Sequence, residues 1–311
     1  MEGTTMQFGV ALSTWQPGPD FGRVKTLLDL ARLAEALGYD SLWAADHVTV
    51  PYGDVGRLGQ RWFDPVVLLA YLAAHTRRIR LGTDVLVLPY RHPLVVAKTI
   101  ATLDRLSGGR VILGVGTGYI EPEFRALSVP YDTRGERMDE CLRVIRQVWS
   151  GQGGQSFQGR FFSFTAMHVE PRPVQQPHPP IWVAGSGPRV IRRAVELAEG
   201  WHPLEPSLEE LDAGLRIMRK ACRRAGRRHP PHVSISFRPV HIEYGAASGR
   251  RRPTGQRRLL HGTPEEAMAD VRELERRGVG HLVLRFPPGD GGAQGVAHAM
   301  ERFVREVRQP L

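Results

Sequence analysis

Short apolar segments suited to β-strands alternate with longer segments of helical periodicity along nearly the whole chain, and this alternation most constrains the fold. Residues 6–13, 41–47 and 110–118 are short and apolar, whereas 64–76 and 134–149 place apolar residues at helical spacing. Eight strands and eight helices follow one another in this way. Buried strands separated by crossover helices form a parallel sheet.

Eight strand–helix units within 311 residues predict an α/β protein, a closed (β/α)8 TIM barrel, because closure leaves no exposed sheet edge. A doubly wound open sheet is the alternative. We expect one domain over residues 1–311. Residues 151–180, rich in glycine, proline and aromatic residues, are predicted to be an insertion between strands four and five. Residues 245–261 lack apolar periodicity and are predicted to be a mobile basic loop.

The net charge of +10 is compatible with binding to nucleic acid, anionic lipid or a polyanionic small molecule. We expect no nucleic-acid partner, since the sequence has no helix-turn-helix, zinc finger or aromatic-basic platform. We expect no membrane span, since no stretch approaches about 18 uncharged apolar residues. The first residues do not resemble a signal peptide. Cys141 and Cys222 fall in helical patterns and fit a reduced, cytoplasmic protein without a disulfide.

Polar and glycine-rich residues follow the ends of the predicted strands. The active site of a (β/α)8 barrel lies at the carboxyl ends of its strands, so these residues are expected to share one rim. They are Asp46, His47, the segment 84–89, the segment 116–118, the segment 185–187, His202, Arg238 and Arg285.

Two of these strand ends are rich in glycine. GVGTG (114–118) precedes an irregular segment, and VAGSGP (183–188) runs directly into a helix. Backbone amides at a helix N-terminus bind anions, and glycines let the backbone approach them closely. Gly185, Ser186 and Gly187 are therefore a candidate anion site, although a tight turn needs glycine without any ligand.

His47 is the candidate proton-transfer residue, because histidine titrates near neutral pH. Asp46 precedes it and is placed to fix its tautomer; a buried histidine bonded to the backbone is the structural alternative. No spacing of histidine, cysteine and carboxylate residues matches a metal site. Eight further histidines are expected on the surface or in turns: His75, His92, His178, His229, His232, His261, His281 and His298.

Six motifs in order resemble the luciferase-like monooxygenase superfamily, across nearly the whole chain, and most closely its coenzyme-F420-dependent oxidoreductases. They are DH (46–47), GTDVLVLPYRHP (82–93), GVGTGY (114–119), EFRALSVPYDTRGER (123–137), RFFSFTAMHVEPRPVQQPHPPIWVAGSGP (160–188) and EGWHP (199–203). The resemblance implies a (β/α)8 barrel with an insertion between strands four and five. It also implies a cofactor, FMN or the deazaflavin F420, in the barrel mouth.

The resemblance places His47 near the reacting edge of the cofactor ring, as an acid, a base or a polariser of the substrate, with Asp46 before it. Thr117, Gly118 and Tyr119 correspond to the loop that contacts the cofactor. Tyr119 stands where relatives that oxidise sugar phosphates have a glutamate, which disfavours that substrate.

The same resemblance makes Gly185, Ser186 and Gly187 the phosphate-binding turn. It makes Asp84–Val85 a non-proline cis peptide that forms a bulge behind the ring. Asp84 is then expected at a kink, with its side chain turned to backbone amides or to the ring. The alternative is a carboxylate that points outward between helices.

We prefer F420 to FMN because the motifs are more similar to those of the F420-dependent branch; the net charge of +10 also suits the anionic oligoglutamate tail of F420, although Arg-rich coding would explain it as well. F420 transfers hydride, whereas reduced FMN would activate O2. The preferred function is an F420-dependent oxidoreductase that moves a hydride between the cofactor and a small organic substrate, with His47 handling the proton. The alternatives are an FMN-dependent monooxygenase and a barrel that binds cofactor without catalysis. Relatives are often dimers, so we expect a homodimer.

Overall fold

The fold is described by a computed structural model that covers residues 6–14, 20–242 and 257–311. The barrel strands, numbered along the chain, are β1 (Gln7–Leu12), β2 (Ser41–Ala44), β3 (Arg80–Thr83) continued by β4 (Leu86–Val87), β5 (Val111–Gly116), β8 (Ile181–Ala184), β9 (Gly200–His202), β10 (His232–Ser236) and β13 (Val279–Leu284). They form one parallel sheet in the order β3, β2, β1, β13, β10, β9, β8, β5 and β4, and β3 also pairs with β5, which closes the ring. The predicted (β/α)8 TIM barrel is thus confirmed, and the open-sheet alternative is wrong.

Helices surround the barrel and bury one stripe each against it. Capping residues set several of their starts: Asp64 accepts hydrogen bonds from the first-turn amides of its helix, and Thr263 forms a capping box with Glu266. The helices are α1 (Val24–Ala36), α2 (Val55–Leu58), α3 (Pro65–Ala73), α4 (Pro93–Ser107), α5 (Glu121–Ala126), α6 (Arg134–Ser150), α7 (Pro188–Leu197), α8 (Leu208–Ala225), α9 (Pro264–Arg276) and α10 (Gly292–Phe303). Short 3-10 turns cover Asp20–Gly22, Tyr52–Asp54, Leu88–Tyr90 and Gly289–Gly291, and a π turn covers Val304–Arg308.

The interior of the barrel is filled by indoles and imidazoles, where barrels of this kind usually hold branched aliphatic side chains. The Trp43 ring stacks on Trp182, with centroids 5.3 Å apart, and on His202 at 5.4 Å. Glycines make room for these rings, since a Cβ added to Gly82 or Gly200 would lie 2.3 Å from a tryptophan atom. The interior layer therefore depends on large aromatic rings set against glycines of neighbouring strands.

The region from 151 to 180, predicted to be an insertion, contains an antiparallel hairpin formed by β6 (Gln155–Gln158) and β7 (Ser163–Met167). The Glu140 carboxylate on α6 accepts hydrogen bonds from the backbone amides of 160, 161 and 162, at 2.7 to 3.0 Å. The Phe162 ring is buried next to His92. One carboxylate thus ties the hairpin tip to the helix layer.

Two predicted segments differ from the observed backbone. The strand predicted over 232–242 ends at Ser236, because Pro239 has no amide to continue the ladder. Residues His241–Ile242 instead form β11, which pairs with β12 (His261–Gly262). The segment after Tyr119, predicted to be irregular, contains α5, whose Pro122 lies in the first turn.

Most of the segment predicted to be a mobile basic loop, residues 245–256, lies outside the described residues. Residues 257–261 contact the rest of the fold, while their mobility stays a prediction. The Arg257 guanidinium pairs with the Asp270 carboxylate at 2.6 Å, and Leu260 is fully buried. An ion pair to α9 and a buried side chain connect this part of the chain to the rest of the fold.

The expectation of surface or turn positions is wrong for His232, His261 and His281, which lie in strands, and the last two are buried. His178 is buried as well, in the irregular segment before β8. His281 lies inside the barrel, where the hydroxyls of Ser41 and Ser234 provide partners for its ring nitrogens. Cys141 and Cys222 lie in helices, as expected, and both side chains are buried. Among the described residues, no helix combines the length and apolarity needed to span a membrane.

Candidate active site

The residues singled out at strand ends lie at one rim of the barrel. Asp46 and His47 follow β2, Asp84 and Val85 separate β3 from β4, and the loop of residues 117–119 follows β5. The turn of residues 185–187 follows β8. Because all these strands are parallel, their carboxyl ends surround the same opening.

His47 is buried at this rim and contacts a carboxylate from α5. Its Nδ1 lies 2.8 Å from Oε2 of Glu123. An ionised carboxylate can only accept a hydrogen bond, so Nδ1 carries the proton and donates it. The Trp62 ring packs edge-on against the imidazole, with centroids 4.5 Å apart, and the Tyr119 ring does so at 6.0 Å. His47 is therefore held in one orientation by a charge and two aromatic rings.

Glu123 has no solvent exposure and is fully hydrogen-bonded. Besides His47, it accepts hydrogen bonds from the amides of Val48 and Thr49 and from the Tyr90 hydroxyl, at 2.7, 3.2 and 3.0 Å. Burial acts to raise the pKa of Glu123, but the hydrogen bonds from His47, Thr49 and Tyr90 outweigh it and hold the pKa below its ordinary value. A buried anion thus stands behind the His47 ring.

Asp46 does not contact His47, so the expectation that it fixes the His47 tautomer is wrong. Successive side chains of extended backbone point to opposite sides, and Asp46 turns away from His47 to Arg91. Its carboxylate accepts two hydrogen bonds from that guanidinium, at 2.6 and 3.0 Å, and one from the amide of Val87 at 2.9 Å. Burial raises the pKa of Asp46, and Arg91 opposes this shift. Asp46 ties β2 to the backbone just after the bulge in the third strand.

Asp84 lies at a cis peptide bond to Val85, and its side chain points across the barrel interior. Its carboxylate oxygens lie 3.2 Å from Nε2 of His202 and 2.8 Å from the Ser236 hydroxyl, and Arg285 lies 3.7 Å away. Side chains of β9, β10 and the end of β13 thus take the place of the expected backbone amides, because the carboxylate points inward. A contact of Asp84 with the cofactor ring stays a prediction. The outward alternative is wrong.

Burial acts to raise the pKa of Asp84, but the hydrogen bond from His202 and the charge of Arg285 lower it below its ordinary value. The Asp84 carboxylate is therefore an anion at neutral pH. It faces the Arg285 guanidinium, itself buried at the same rim.

The loop of residues 117–119 packs against the bulged third strand. Gly118 has a φ of +75°, and a Cβ there would lie 2.7 Å from Val87 and 2.9 Å from Phe124. Only glycine combines that backbone conformation with so little space. The Tyr119 side chain, in contrast, is 59% exposed and stands at the edge of the opening.

The turn of residues 185–187 has the backbone shape of an anion cradle. Gly185 and Gly187 have φ values of +111° and +92°, and no atom lies within 4 Å of a Cβ built at Gly187. The Ser186 side chain is exposed, and α7 starts at Pro188 without a side-chain cap. The first amides of α7 are thus left for water or a ligand.

Sequence reasoning missed Glu123, Tyr90 and Arg91, which hold His47 and Asp46. Glu123 belongs to the segment treated as irregular, although a proline between two glutamates is a helix-start signal. Its contact to His47 spans 76 residues of sequence, which no local pattern encodes. Among the described residues, no group of three or more His, Cys, Asp or Glu side chains could hold a metal ion.

The chain matches a known protein family in sequence, and solved structures share its fold. The profile of the family described as luciferase-like monooxygenase matches residues 6–252, and the chain belongs to this family. The resemblance inferred from the six motifs is thereby confirmed. Members of the family are oxidoreductases and monooxygenases that depend on F420 or FMN, so the chain is an enzyme of that kind.

Some relatives are named as F420-dependent enzymes and others as flavin-dependent enzymes. The F420-dependent glucose-6-phosphate dehydrogenase of Microbacterium testaceum is 35% identical over 199 residues, which cover 63% of this chain and 56% of that protein. The oxygenase component of the flavin-dependent trigonelline monooxygenase of Acinetobacter baylyi is 30% identical over 172 residues, which cover 55% of this chain and 45% of that protein. The crystal structure of the monooxygenase RslO1 from Streptomyces bottropensis has a TM-score of 0.81 at 26% identity, with 98% of this chain and 99% of that one covered.

Proposed function

We propose that this chain is an F420-dependent oxidoreductase that moves a hydride between the deazaflavin and a small organic substrate. The observation that carries the choice of cofactor is a basic cleft between α6 and α7, hereafter the arginine cleft. It is lined by Asp139, Arg143, Arg189, Arg192, Arg193, Glu196 and Leu197. Its four arginines outnumber its two carboxylates, which favours a polyanion. The oligoglutamate tail distinguishes F420 from FMN in this respect.

The position of the arginine cleft matches such a tail. Arg189 is the second residue of α7 and follows directly on the turn of residues 185–187. Arg143, Arg189 and Arg192 are exposed, whereas Arg193 is buried and pairs with Asp139. If the turn holds the phosphate of F420, the anionic tail that follows it would therefore lie along a surface with exposed guanidinium groups.

The residues present fit a phosphate-tailed ring at the barrel mouth. The open, glycine-containing turn suits the phosphate, and the loop of residues 117–119 suits the ring. When bound, F420 supplies hydride transfer at a ring carbon. His47 supplies the matching proton: Glu123 keeps Nδ1 protonated, so Nε2 is the atom that exchanges a proton with the substrate. The rings of Trp62 and Tyr119 pack against the His47 imidazole and shield it from water.

We assign Asp46 a structural part in this site, because both of its oxygens are engaged by Arg91 and the Val87 amide. We assign Asp84 and Val85 to the wall of the cofactor site beneath the rim. The site residues expected from the sequence thus divide into a proton-transfer residue, His47, and residues that shape the cavity.

A flavin-dependent monooxygenase is the second candidate. It is favoured by the likeness to the trigonelline monooxygenase, which is named as flavin-dependent, and to RslO1, which is named as a monooxygenase. The turn of residues 185–187 would accept the phosphate of FMN equally well, so the arginine cleft is the feature that separates the two candidates.

Titration of the purified protein with F420 and with FMN, followed by fluorescence quenching, tests this choice. We expect micromolar or tighter binding of F420 and weaker binding of FMN. The variant Arg189→Ala/Arg192→Ala should raise the Kd for F420 by about tenfold, since two charge-assisted contacts are lost. It should leave FMN binding unchanged. Binding of FMN without F420 would reverse the assignment.

The matched control for the arginine cleft is Arg216→Ala/Arg219→Ala, which removes two exposed arginines of α8. This control removes the same two positive charges but lies away from the arginine cleft, so the Kd for F420 should stay within about twofold of the parent value. An equal loss in both double variants would attribute the effect to overall charge.

Turnover of His47→Gln in a substrate screen tests the catalytic part. We expect a loss of about 10² to 10⁴-fold in turnover with cofactor binding preserved, the usual range for removal of an acid–base group. His229→Gln, which alters an exposed histidine, is the control. Unchanged turnover in His47→Gln would contradict the role of His47, and no turnover of any substrate by the parent would favour the non-catalytic alternative.

A further inference from the structure

A continuous line of hydrogen bonds crosses the interior of the barrel and ends on Asp84. We call it the interior chain; its members are Trp43, Ser41, His281, Ser234, His202 and Asp84. From the Trp43 indole onward, its successive contacts measure 2.8, 2.8, 3.0, 3.0 and 3.2 Å. Four strands contribute to it, and none of its members apart from Asp84 was assigned to the site above.

The interior chain is shielded from water along its length. Trp43, Ser41, His281, Ser234 and His202 are each at most 1% exposed. The Trp43 and Trp182 rings pack against both histidines of the chain, with centroids 5.2 to 5.9 Å apart. Polar groups buried to this degree must find their partners within the protein, so every proton of the chain needs an acceptor there.

The two ends set the direction of the chain. The indole nitrogen of Trp43 can only donate, and the ionised carboxylate of Asp84 can only accept. If both histidines are neutral, one arrangement satisfies every member. Trp43 donates to Ser41, Ser41 to Nε2 of His281, and Nδ1 of His281 to Ser234. Ser234 then donates to Nδ1 of His202, and Nε2 of His202 donates to Asp84.

If the hydrogen bonds run in the opposite direction, the Ser41 hydroxyl is left without an acceptor. This direction requires a doubly protonated His202, which donates from Nδ1 to Ser234, and it places the His281 proton on Nε2. Ser41 would then receive hydrogen bonds from both Trp43 and His281, and the interior chain would offer no acceptor for the hydroxyl proton of Ser41. An unsatisfied buried hydroxyl is costly, so the first arrangement is favoured.

The surroundings also disfavour a charged His281. Burial lowers the pKa of His281 well below its ordinary value. The Arg80 guanidinium, at the opposite end of the barrel from the rim, acts in the same direction.

We propose that the interior chain is a positioning device with a fixed direction, in which two neutral histidines of opposite tautomer present an N–H of His202 to the Asp84 carboxylate. Ser41, His281, Ser234 and His202 are thereby positioning residues. They hold Asp84 aimed at the interior beside Ser236 and Arg285, at the wall of the candidate cofactor site. The proposal holds for either cofactor, because it concerns side chains beneath the rim.

Nitrogen NMR of the whole protein with labelled histidine tests this directly, since protonated and unprotonated ring nitrogens have well-separated ¹⁵N shifts. Near neutral pH, His202 should carry its proton on Nε2 alone and His281 on Nδ1 alone. Resonances are assigned through contacts with the Trp43 and Trp182 indole protons. A His202 ring protonated on both nitrogens, or a His281 proton on Nε2, would overturn the proposal. His178 serves as the internal reference, because its Nδ1 lies 2.9 Å from the Pro179 carbonyl and must be protonated.

Two variants then test whether the residues act as one chain. Ser234→Ala interrupts it between the histidines, so the Nδ1–H signal of His281 should be lost. Ser41→Ala interrupts it before His281, so His202 should keep its Nε2–H, which Asp84 continues to accept. Ser234→Thr retains the hydroxyl and should restore the Nδ1–H signal of His281. If Ser234→Ala leaves both tautomers unchanged, the serine does not link them and the chain is refuted; the measurement on the parent protein stands even where a variant fails to fold.

Discussion

The Arg91 guanidinium closes over the Asp46 carboxylate with two hydrogen bonds, and the same guanidinium reaches Asp64 at the start of α3, 3.2 Å away. Three separate segments of the rim, after β2, after β4 and before α3, are therefore joined by one side chain. Asp46 also accepts the Val87 amide, so it fixes the backbone on the far side of the bulge. These contacts hold together the segments of the rim that surround His47.

Asp46→Asn should lower the free energy of unfolding by about 3 kcal/mol. The substitution leaves Arg91 partly buried with a weaker partner, and loss of one member of a buried pair costs about 3–5 kcal/mol. We place the value at the lower end because Asp64 still pairs with Arg91. Urea unfolding measures the effect. Asp54→Asn, which breaks an exposed pair with Arg57, should change stability by no more than about 0.5 kcal/mol; equal losses in the two variants would contradict the role given to Asp46.

Glu123→Gln should flatten the acid side of the stability profile. The pKa of Glu123 is lower in the folded protein than its ordinary value of 4.5. The unfolded chain therefore binds this proton more readily, and the carboxylate stabilises the fold above that pH but loses its effect as the pH falls through the lower, folded value. Unfolding free energies measured from neutral pH downward should fall less steeply in the variant. Parallel curves for the two proteins would show that Glu123 has no lowered pKa.

Gly118→Ala should destabilise the protein more than Gly153→Ala. Both glycines have positive φ, +75° and +68°, so alanine costs about 1–2 kcal/mol at either position from backbone conformation alone. Only at Gly118 would the added methyl meet other atoms, in Val87 and Phe124, whereas Gly153 faces open space. That clash should add about 1–3 kcal/mol. Thermal or urea unfolding of the two variants measures the energy of this clash as the difference between their stabilities. Equal stabilities would mean that the loop of residues 117–119 does not pack on the bulged third strand.

Glu140→Ala should expose the hairpin of β6 and β7 to proteases. The substitution removes the acceptor of three backbone amides at the hairpin tip, and unsatisfied buried amides cost about 1–3 kcal/mol each unless water reaches them. Limited proteolysis should therefore cut between 151 and 170 faster than in the parent protein. Glu275→Ala, which removes an exposed carboxylate of α9, should leave the cleavage rate unchanged. Protection equal to that of the parent would show that Glu140 does not anchor the hairpin.

The barrel was predictable because its signals are local. Apolar runs, helical stripes and helix caps such as Asp64 and the capping box at Thr263 each depend on residues only a few positions apart. Parallel strands buried on both faces, however, carry no period-two pattern, so the sequence does not distinguish a side chain inside the barrel from one under a helix. His281 was misplaced for this reason.

The side-chain partners of the rim were harder to predict, because they join distant segments. Asp46 was paired with its sequence neighbour His47, although extended backbone sends the two side chains apart. The actual partners, Arg91 and Glu123, lie 45 and 76 residues away from the side chains that they contact. Asp84 likewise finds His202 across 118 residues, so only the closed barrel reveals why an acid stands in that strand.

The β6–β7 hairpin is attached to α6 through side chains of that helix, chiefly the Glu140 carboxylate beside the Glu136–Arg160 ion pair, and it takes no part in the barrel sheet. A hairpin of different length or composition can be grafted onto the same helix, provided that its tip presents three amides to a residue such as Glu140. Chimeras between relatives should accordingly exchange this module freely while the strands, and the histidine-bearing interior beneath them, fold as before.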